Sequence, residues 1–422
     1  SEGKKWIVEC PLPGLTKDSI TAQEAYAAWA NNPGYADPAL DGIIVDEFTG
    51  GDIHKYPAWT EALRRLIANE KFAGKTFYPY CGNLYGSDAT KDFIETVIGA
   101  GYCFAWEQYL KEQPTEKAAA AFLERGIKQG MLGWRREIPD AAGHAIICFG
   151  YLCAPPESVN TNPAVDYKVW MDMQYNLLAN DPAFQGIYGV MEYTSSYADE
   201  EAVRWQGRLY RHYCIEGKRT LLSSELGFKY QLRHIRNPDF DDGTRGWILT
   251  PAEKESIRVD HMDGVGWLEG RYPRTSEGDN FLVMKRSASR PNVIAQEIKN
   301  LQPGRLYSLK MFTADYRHLV EGKSVRQQHA VKITLENVDL VTDNCFQEVI
   351  PSCYAHSLGP FNINHRAWFN YHWRVFRARD KTARLIISDW LSSSDPGGPI
   401  GQELLFNFVE VQPYLEKEEF GK

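Results

Sequence analysis

Several things are scarce in this 422-residue chain, and each scarcity excludes something. No stretch of about 18 apolar residues occurs, so no helix-length membrane span is expected. Positive charge is short: 47 Lys and Arg face 55 Asp and Glu, for a net charge of −8 with no basic run. Nucleic acid is therefore not an expected partner. No GxGxxG follows the first strand, which argues against a dinucleotide fold. Histidine numbers only 10, and no CxxC or Cys/His spacing suggests zinc. The eight cysteines form no regular framework. Cys10, Cys81, Cys103 and Cys148 sit in apolar strand-like runs and read as small buried hydrophobes. Cys345 and Cys353 flank a short polar segment and are the best disulfide candidate; a bond there would indicate an oxidising compartment. The opening Ser1-Glu-Gly-Lys-Lys5 has no signal-peptide pattern, and a mature chain whose signal had been removed would read the same.

Aromatic residues are what the chain has in excess, at 13%, with 12 Trp and 23 Tyr. Their flat faces and polar edges suit sugar rings, although core packing accounts for most of them. The length exceeds what one hydrophobic core usually serves, so two domains are expected.

The first half alternates strand and helix. Its most distinctive stretch is Asp41-Gly-Ile-Ile-Val-Asp-Glu-Phe-Thr-Gly-Gly51, an apolar strand ending in two carboxylates and a glycine turn. Strands are also expected at 6–10, 76–81, 102–109, 144–151, 186–193 and 219–225. Helical spacing lies between them, with Thr21 and Asp88 as caps and Leu63, Leu66 and Ile67 inward on one helix. Seven such units predict a parallel sheet closed as a TIM-like (β/α)8-type barrel over residues 1–228. One strand is missing from the count, or the closure is irregular near 219–227.

Strand ends converge on one mouth in such a barrel. Here they deliver Glu9, Asp46 and Glu47, then Tyr80 and Asn83, then Trp106, Glu107 and Tyr109, then Tyr151, then Glu192 and Tyr193, and finally Glu225. Carboxylates within a buried sheet are costly unless paired, solvated or used, so this recurrence predicts a shared polar pocket. Adjacent strand residues point to opposite faces, so only one of Asp46 and Glu47 should face it. Asp46 shares a face with Ile44 and Phe48, and Glu47 with Ile43 and Val45.

Two chemistries use several acids and few bases. In glycoside hydrolysis one carboxylic acid protonates the leaving oxygen, while a second carboxylate attacks or activates water. A divalent metal held by acids would instead serve a lyase or isomerase. Such metal barrels usually add strand-end histidines. Here His144 lies at the wrong end of its strand, and only His54 lies near the mouth. The first chemistry is favoured. A third reading keeps the barrel as a non-catalytic binding or assembly scaffold. It would tie the acids to cations such as Arg135, Arg136, Arg204 or Arg208 and fill the mouth.

Asp41-Gly-Ile-Ile-Val-Asp-Glu47, Phe104-Ala-Trp-Glu107 and Gly189-Val-Met-Glu-Tyr193 resemble strand-end motifs of (β/α)8-barrel glycoside hydrolases. The first run departs from the chitinase-like DGxDxDxE motif at Ile44 and Phe48, so that mechanism is not implied. The resemblance implies Glu107 as acid/base, Glu192 as nucleophile or second carboxylate if one strand is missing from the count, and Asp46 or Glu47 assisting, with a carbohydrate partner, no cofactor, and a secreted, periplasmic or cell-surface location.

Beyond Phe228 strands and turns replace helices. Asn237-Pro-Asp-Phe240, Gly246-Trp247, Gly278-Asp-Asn-Phe-Leu282, Ile294-Ala-Gln-Glu-Ile298 and Leu301-Gln-Pro-Gly-Arg-Leu-Tyr307 resemble jelly-roll carbohydrate-binding modules. An antiparallel β-sandwich is expected over 229–422, with a structural calcium conceivable but no ligand set legible. Trp368, Phe369, Tyr371 and Trp373 belong either to its core or to a sugar-stacking platform.

Overall fold

The computed structural model describes residues 4–150, 153–193, 198–358 and 366–417. It forms two compact units that interleave along the chain instead of meeting at one cut. The first comprises residues 1–110, 121–150 and 177–193, and the second the remainder.

The first unit is built on six parallel strands: β1 (Ile7–Cys10), β2 (Gly42–Phe48), β3 (Thr76–Cys81), β4 (Phe104–Gln108), β5 (Ala145–Gly150) and β6 (Gly189–Tyr193). They lie side by side in chain order, so each crossover returns to the neighbouring strand. The sheet curls. Tyr80 on β3 and Tyr193 on β6 bring their ring centroids to 5.8 Å, although a flat sheet would separate those strands by about 14 Å. Among the described residues β1 and β6 are open edges, so the sheet makes part of a barrel and no closed ring.

The expected strand at 219–225 is absent: Leu222–Glu225 is a short helical turn in the second unit. Its Leu-Leu-Ser-Ser run is too brief and too polar at one end to hold a buried parallel position. The expected helix at residues 20–31 spans Ala22–Ala30, with Thr21 and Glu24 forming a capping box. The cap of Asp88–Gly99 is Ser87, one residue before the one expected. Ile67 is exposed, while Leu63 and Leu66 point inward. The outer face of the sheet buries Ile43, Val45, Phe48 and Phe77 against Trp29, Trp59 and Phe93 of the helices.

The second unit contains two antiparallel sheets. One runs Ile257–His261, Asn280–Lys285, Glu403–Pro413, Leu306–Asp315, Trp368–Ala378, Val338–Leu340, with Phe346–Pro351 also paired to Trp368–Ala378. The other runs Lys332–Glu336, Ala383–Ser388, Val293–Ile298, Ile248–Thr250. Leu282, Met311, Phe376 and Phe406 of the first pack against Ile294, Leu335, Leu385 and Ile387 of the second, which makes a sandwich core. The opposite face of the larger sheet is also covered, and it buries Phe369, Tyr371 and Trp373. Those aromatics therefore belong to the core; Trp368 is half-buried.

The sequence motifs of this unit lock its turns. Asn237 takes a left-handed backbone, its amide donates to Gly243 O at 2.8 Å, and its carbonyl accepts the Trp247 indole at 3.1 Å. Phe240 then stacks on Trp247 at 5.3 Å. In the 301–307 hairpin the Tyr307 hydroxyl accepts from the Gln302 amide at 2.9 Å. No disulfide joins Cys345 and Cys353; the Cys345 sulfur points to the Val341 carbonyl at 3.3 Å.

Helix Glu200–Leu209, expected on the barrel, packs with this unit instead. Glu201 accepts the Leu415 amide at 2.7 Å, and the Trp205 indole donates to Lys168 O at 2.9 Å.

Candidate acid cluster on the inner face of the parallel sheet

Strand register decides which side chains share a face. Aligned residues in parallel strands point the same way, and neighbours in one strand point opposite ways. Glu9 pairs with Ile44, Ile44 with Tyr78, Tyr80 with Ala105, Glu107 with Cys148, and Cys148 with Met191. These residues occupy the inner face, where Tyr80, Ala105 and Cys148 pack with Ile44, Tyr109, Met191 and Tyr193. By the same alternation Asp46 follows Ile44 onto this face, and so does Glu107 after Ala105.

The ladder between β2 and β3 breaks between Val45 and Phe48, and Glu47 has φ +72°. This bulge changes the expected alternation. Phe48 rejoins Ile43 and Val45 on the outer face, where its ring lies 4.7 Å from Phe93. It does not share the face of Asp46. Glu47 is turned into solvent at the rim, yet its charge still acts on both Asp46 and Glu107. The charges of both acids of β2 therefore act on Glu107, that of Asp46 from the inner face and that of Glu47 from the rim.

Glu107 is half-buried, and its carboxyl is pushed up to about 7, first by burial and then by the charges of Asp46 and Glu47. Asp46 is also raised, mainly by burial and then by Glu47 and Glu9, against a hydrogen bond from the Glu47 backbone. Among the described residues no Lys or Arg pairs with Glu9, Asp46, Glu47 or Glu107, and no cation figures among the charges acting on Asp46 or Glu107. Arg135 is spent on Ala183 O at 2.7 Å, Arg136 on Glu137 at 2.9 Å, and Arg204 on the Tyr414 hydroxyl at 3.2 Å.

Tyrosines fill the centre of this face. The Tyr80 and Tyr109 hydroxyls lie 2.6 Å apart, and Tyr80 also reaches the Cys148 sulfur at 3.2 Å. Tyr109 stacks on Tyr193 with centroids 5.5 Å apart. Cys148, read from sequence as a plain small hydrophobe, is buried in the middle of the acids. Burial raises its thiol, and the charges of Glu192, Glu107 and Asp46 add to that. Its alternation with Phe149 in the same register as Glu107 was the available signal.

Other expected members lie elsewhere. Glu192 is aligned with Phe149, on the pleat opposite Cys148 and Met191, although its charge is the first among those acting on Cys148. Trp106 is also on the outer face: it packs on Trp134 at 6.4 Å and donates to the Asn83 carbonyl oxygen at 2.9 Å. Trp106 and Asn83 thus brace strand to helix and do not line the mouth. Glu225 is in the second unit, where the Thr220 hydroxyl donates to it at 2.8 Å. Tyr151 lies outside the described residues. His54 is engaged with Asp18 O at 2.7 Å, and His144 with Tyr102 O at 2.7 Å. Among the described residues no three His, Cys, Asp or Glu side chains gather as metal ligands.

No family model matches the chain. No curated protein matches it either. Solved structures that it resembles include carbohydrate-binding modules and glycoside hydrolases. TmCBM61 in complex with beta-1,4-galactotriose is 14% identical with a TM-score of 0.24, over 43% of this chain and 97% of that one. A glucosidase from Croceicoccus marinus is 8% identical with a TM-score of 0.31, over 92% of this chain and 78% of that one. A GH51 arabinofuranosidase from Xanthomonas axonopodis pv. citri is 10% identical with a TM-score of 0.24, over 90% and 66%. Likenesses at these TM-scores assign neither an activity nor a site.

Proposed function

We propose that the inner-face acids form a general acid/base centre that cleaves glycosidic bonds, in a protein that works outside the cytoplasm. Glu107 is the proton donor and acceptor, Asp46 is the second carboxylate, and Glu9 and Glu47 hold the local potential negative. One observation carries this reading: an inner-face carboxyl held at about 7 by burial and by the charges of Asp46 and Glu47. Such a group is half-protonated near neutral pH, so it can donate a proton to a leaving oxygen and take one back. Asp46 takes the role that the resemblance suggested for Glu192, and its alternation with the inner-face Ile44 supports this. The test is hydrolysis of a glycan panel by wild type, Glu107→Gln, Asp46→Asn and Glu192→Gln. Glu107→Gln should lose on the order of 10²-fold or more in rate, and Glu192→Gln should keep most activity. Equal turnover by wild type and Glu107→Gln would remove the assignment.

A second reading has its own support. The Tyr80–Tyr109–Tyr193 cluster occupies the centre of the inner face, as a non-catalytic scaffold would require. It is favoured if wild type binds glycans of the panel without hydrolysing any, and Glu107→Gln binds them equally well.

A further inference from the structure

The second unit contains a cleft of about 490 Å³ between the segment 227–234 and the hairpin 300–307. That volume is within the range of small-ligand pockets. Its charge runs against that of the chain. Lys229, Arg233 and Arg305 line it with one carboxylate, Glu116, whereas the whole protein carries −8.

The walls are stapled in place. Lys299 N donates to His234 O at 3.0 Å, and the His234 ring is 2.7 Å from Lys299 O. Asn300, in a left-handed backbone, donates its amide to Arg233 O at 2.8 Å. Arg305 closes the far end: it donates to Leu226 O at 3.0 Å and Gln302 at 2.9 Å, and it lies 4.9 Å over the Phe228 ring. Arg305 is thus largely spent on structure. Lys229 and Arg233 are exposed, and among the described residues neither forms an ion pair. Gln231 and Gln302 add exposed amides at the same opening, and the buried Tyr230 and Tyr307 form its floor.

Two uncommitted cations at the mouth of a preformed polar cleft suit an anion. Amides that can both donate and accept, over an aromatic floor, suit the hydroxyls and ring of a sugar. We propose that this cleft binds an anionic saccharide, with its carboxylate on Lys229 and Arg233 and its hydroxyls on Gln231 and Gln302. The site is separate from the Glu107 cluster, and its occupancy requires no turnover.

The test is calorimetric titration of the full chain with digalacturonate and with the neutral galactose disaccharide. Digalacturonate should bind, and the neutral sugar should bind at least about tenfold more weakly. Raising salt from about 50 mM to about 500 mM should weaken digalacturonate several-fold. The double variant Lys229→Ala/Arg233→Ala should lose at least about tenfold in affinity with an unchanged melting temperature, since both side chains are exposed. Glu107→Gln should bind as wild type does, which separates this result from the fate of the acid cluster. Equal affinity for the two sugars, no binding of digalacturonate, undiminished binding by the double variant, or displacement by equimolar inorganic sulfate would each overturn the proposal.

Discussion

Asp46 and Glu107 share the inner face of the parallel sheet with β3 between their strands, and the charge of Asp46 helps hold the Glu107 carboxyl at about 7. This relationship has a sign that can be measured. Carboxyl-carbon NMR of labelled protein should show one Glu titrating near 7 that is absent in Glu107→Gln. In Asp46→Asn the same resonance should titrate lower, because one repelling charge has gone. A Glu107 that titrates at an ordinary 4.5 would contradict it.

Stability follows from the same displacement. The folded Glu107 binds its proton more tightly than the unfolded chain, whose carboxyl titrates near 4.5. Below about pH 4.5 both states are protonated and nothing is lost. Between about 4.5 and about 7 the folded state is progressively penalised, and above 7 the penalty is complete. The full displacement corresponds to roughly 3 kcal/mol, which partial exposure reduces to roughly 1–2 kcal/mol. Glu107→Gln should therefore unfold at higher urea than wild type at pH 8, with the gain gone by pH 4. An equal effect at both pH values would mean that the gain has another cause.

Much of this was legible in the sequence. The βα alternation and the Thr21 cap follow from local periodicity and composition, while the Asn237–Trp247 and Leu301–Tyr307 turns of the sandwich were marked by their resemblance to jelly-roll modules. What was not legible depended on register and tertiary partners. The bulge at Glu47 returns Phe48 to the outer face, and no rule of alternation predicts where alternation stops. Trp106 falls on the opposite pleat from Glu107 by the alternation that separates any two neighbours in a strand, whereas the pleat of Glu192 depends on the pairing of β5 with β6, which only the folded sheet specifies. The segment 219–225 is too short and too polar at one end to hold a buried strand position, and helix Glu200–Leu209 belongs to the second unit, where Glu201 accepts the Leu415 amide.

Trp106 shows how closely its outer-face position is constrained. A Cβ added at Gly130 would lie 2.6 Å from the Trp106 ring, so helix and strand meet there with no room for a methyl group. Gly130→Ala should improve local helix propensity yet destabilise by roughly 1–3 kcal/mol through overpacking. Denaturant unfolding measures the loss. Trp106→Phe should in part relieve it in the double variant, since a smaller ring retreats from the new methyl. Simple additivity of the two changes would show that they do not meet.

Arg271 in the second unit tests the opposite case, a charge that cannot leave. It is buried with Asp239 and Glu269, donating to Asp239 at 2.7 and 2.9 Å and to Glu269 at 3.0 Å, and it lies 4.8 Å over the Phe408 ring. Removing it strands two buried carboxylates, so Arg271→Ala should cost roughly 3–5 kcal/mol. Arg271→Lys restores the charge but not the planar fork, and it should recover only part of the loss. Arg271→Met combined with Asp239→Asn and Glu269→Gln removes the charges together and should be far less damaging than Arg271→Ala alone. Chemical denaturation of the three proteins gives that order: Arg271→Ala lowest, Arg271→Lys between, and the triple variant closest to wild type. If Arg271→Ala unfolds at the same denaturant concentration as the triple variant, then the stranded carboxylates are not what makes the arginine necessary, and its packing over Phe408 is.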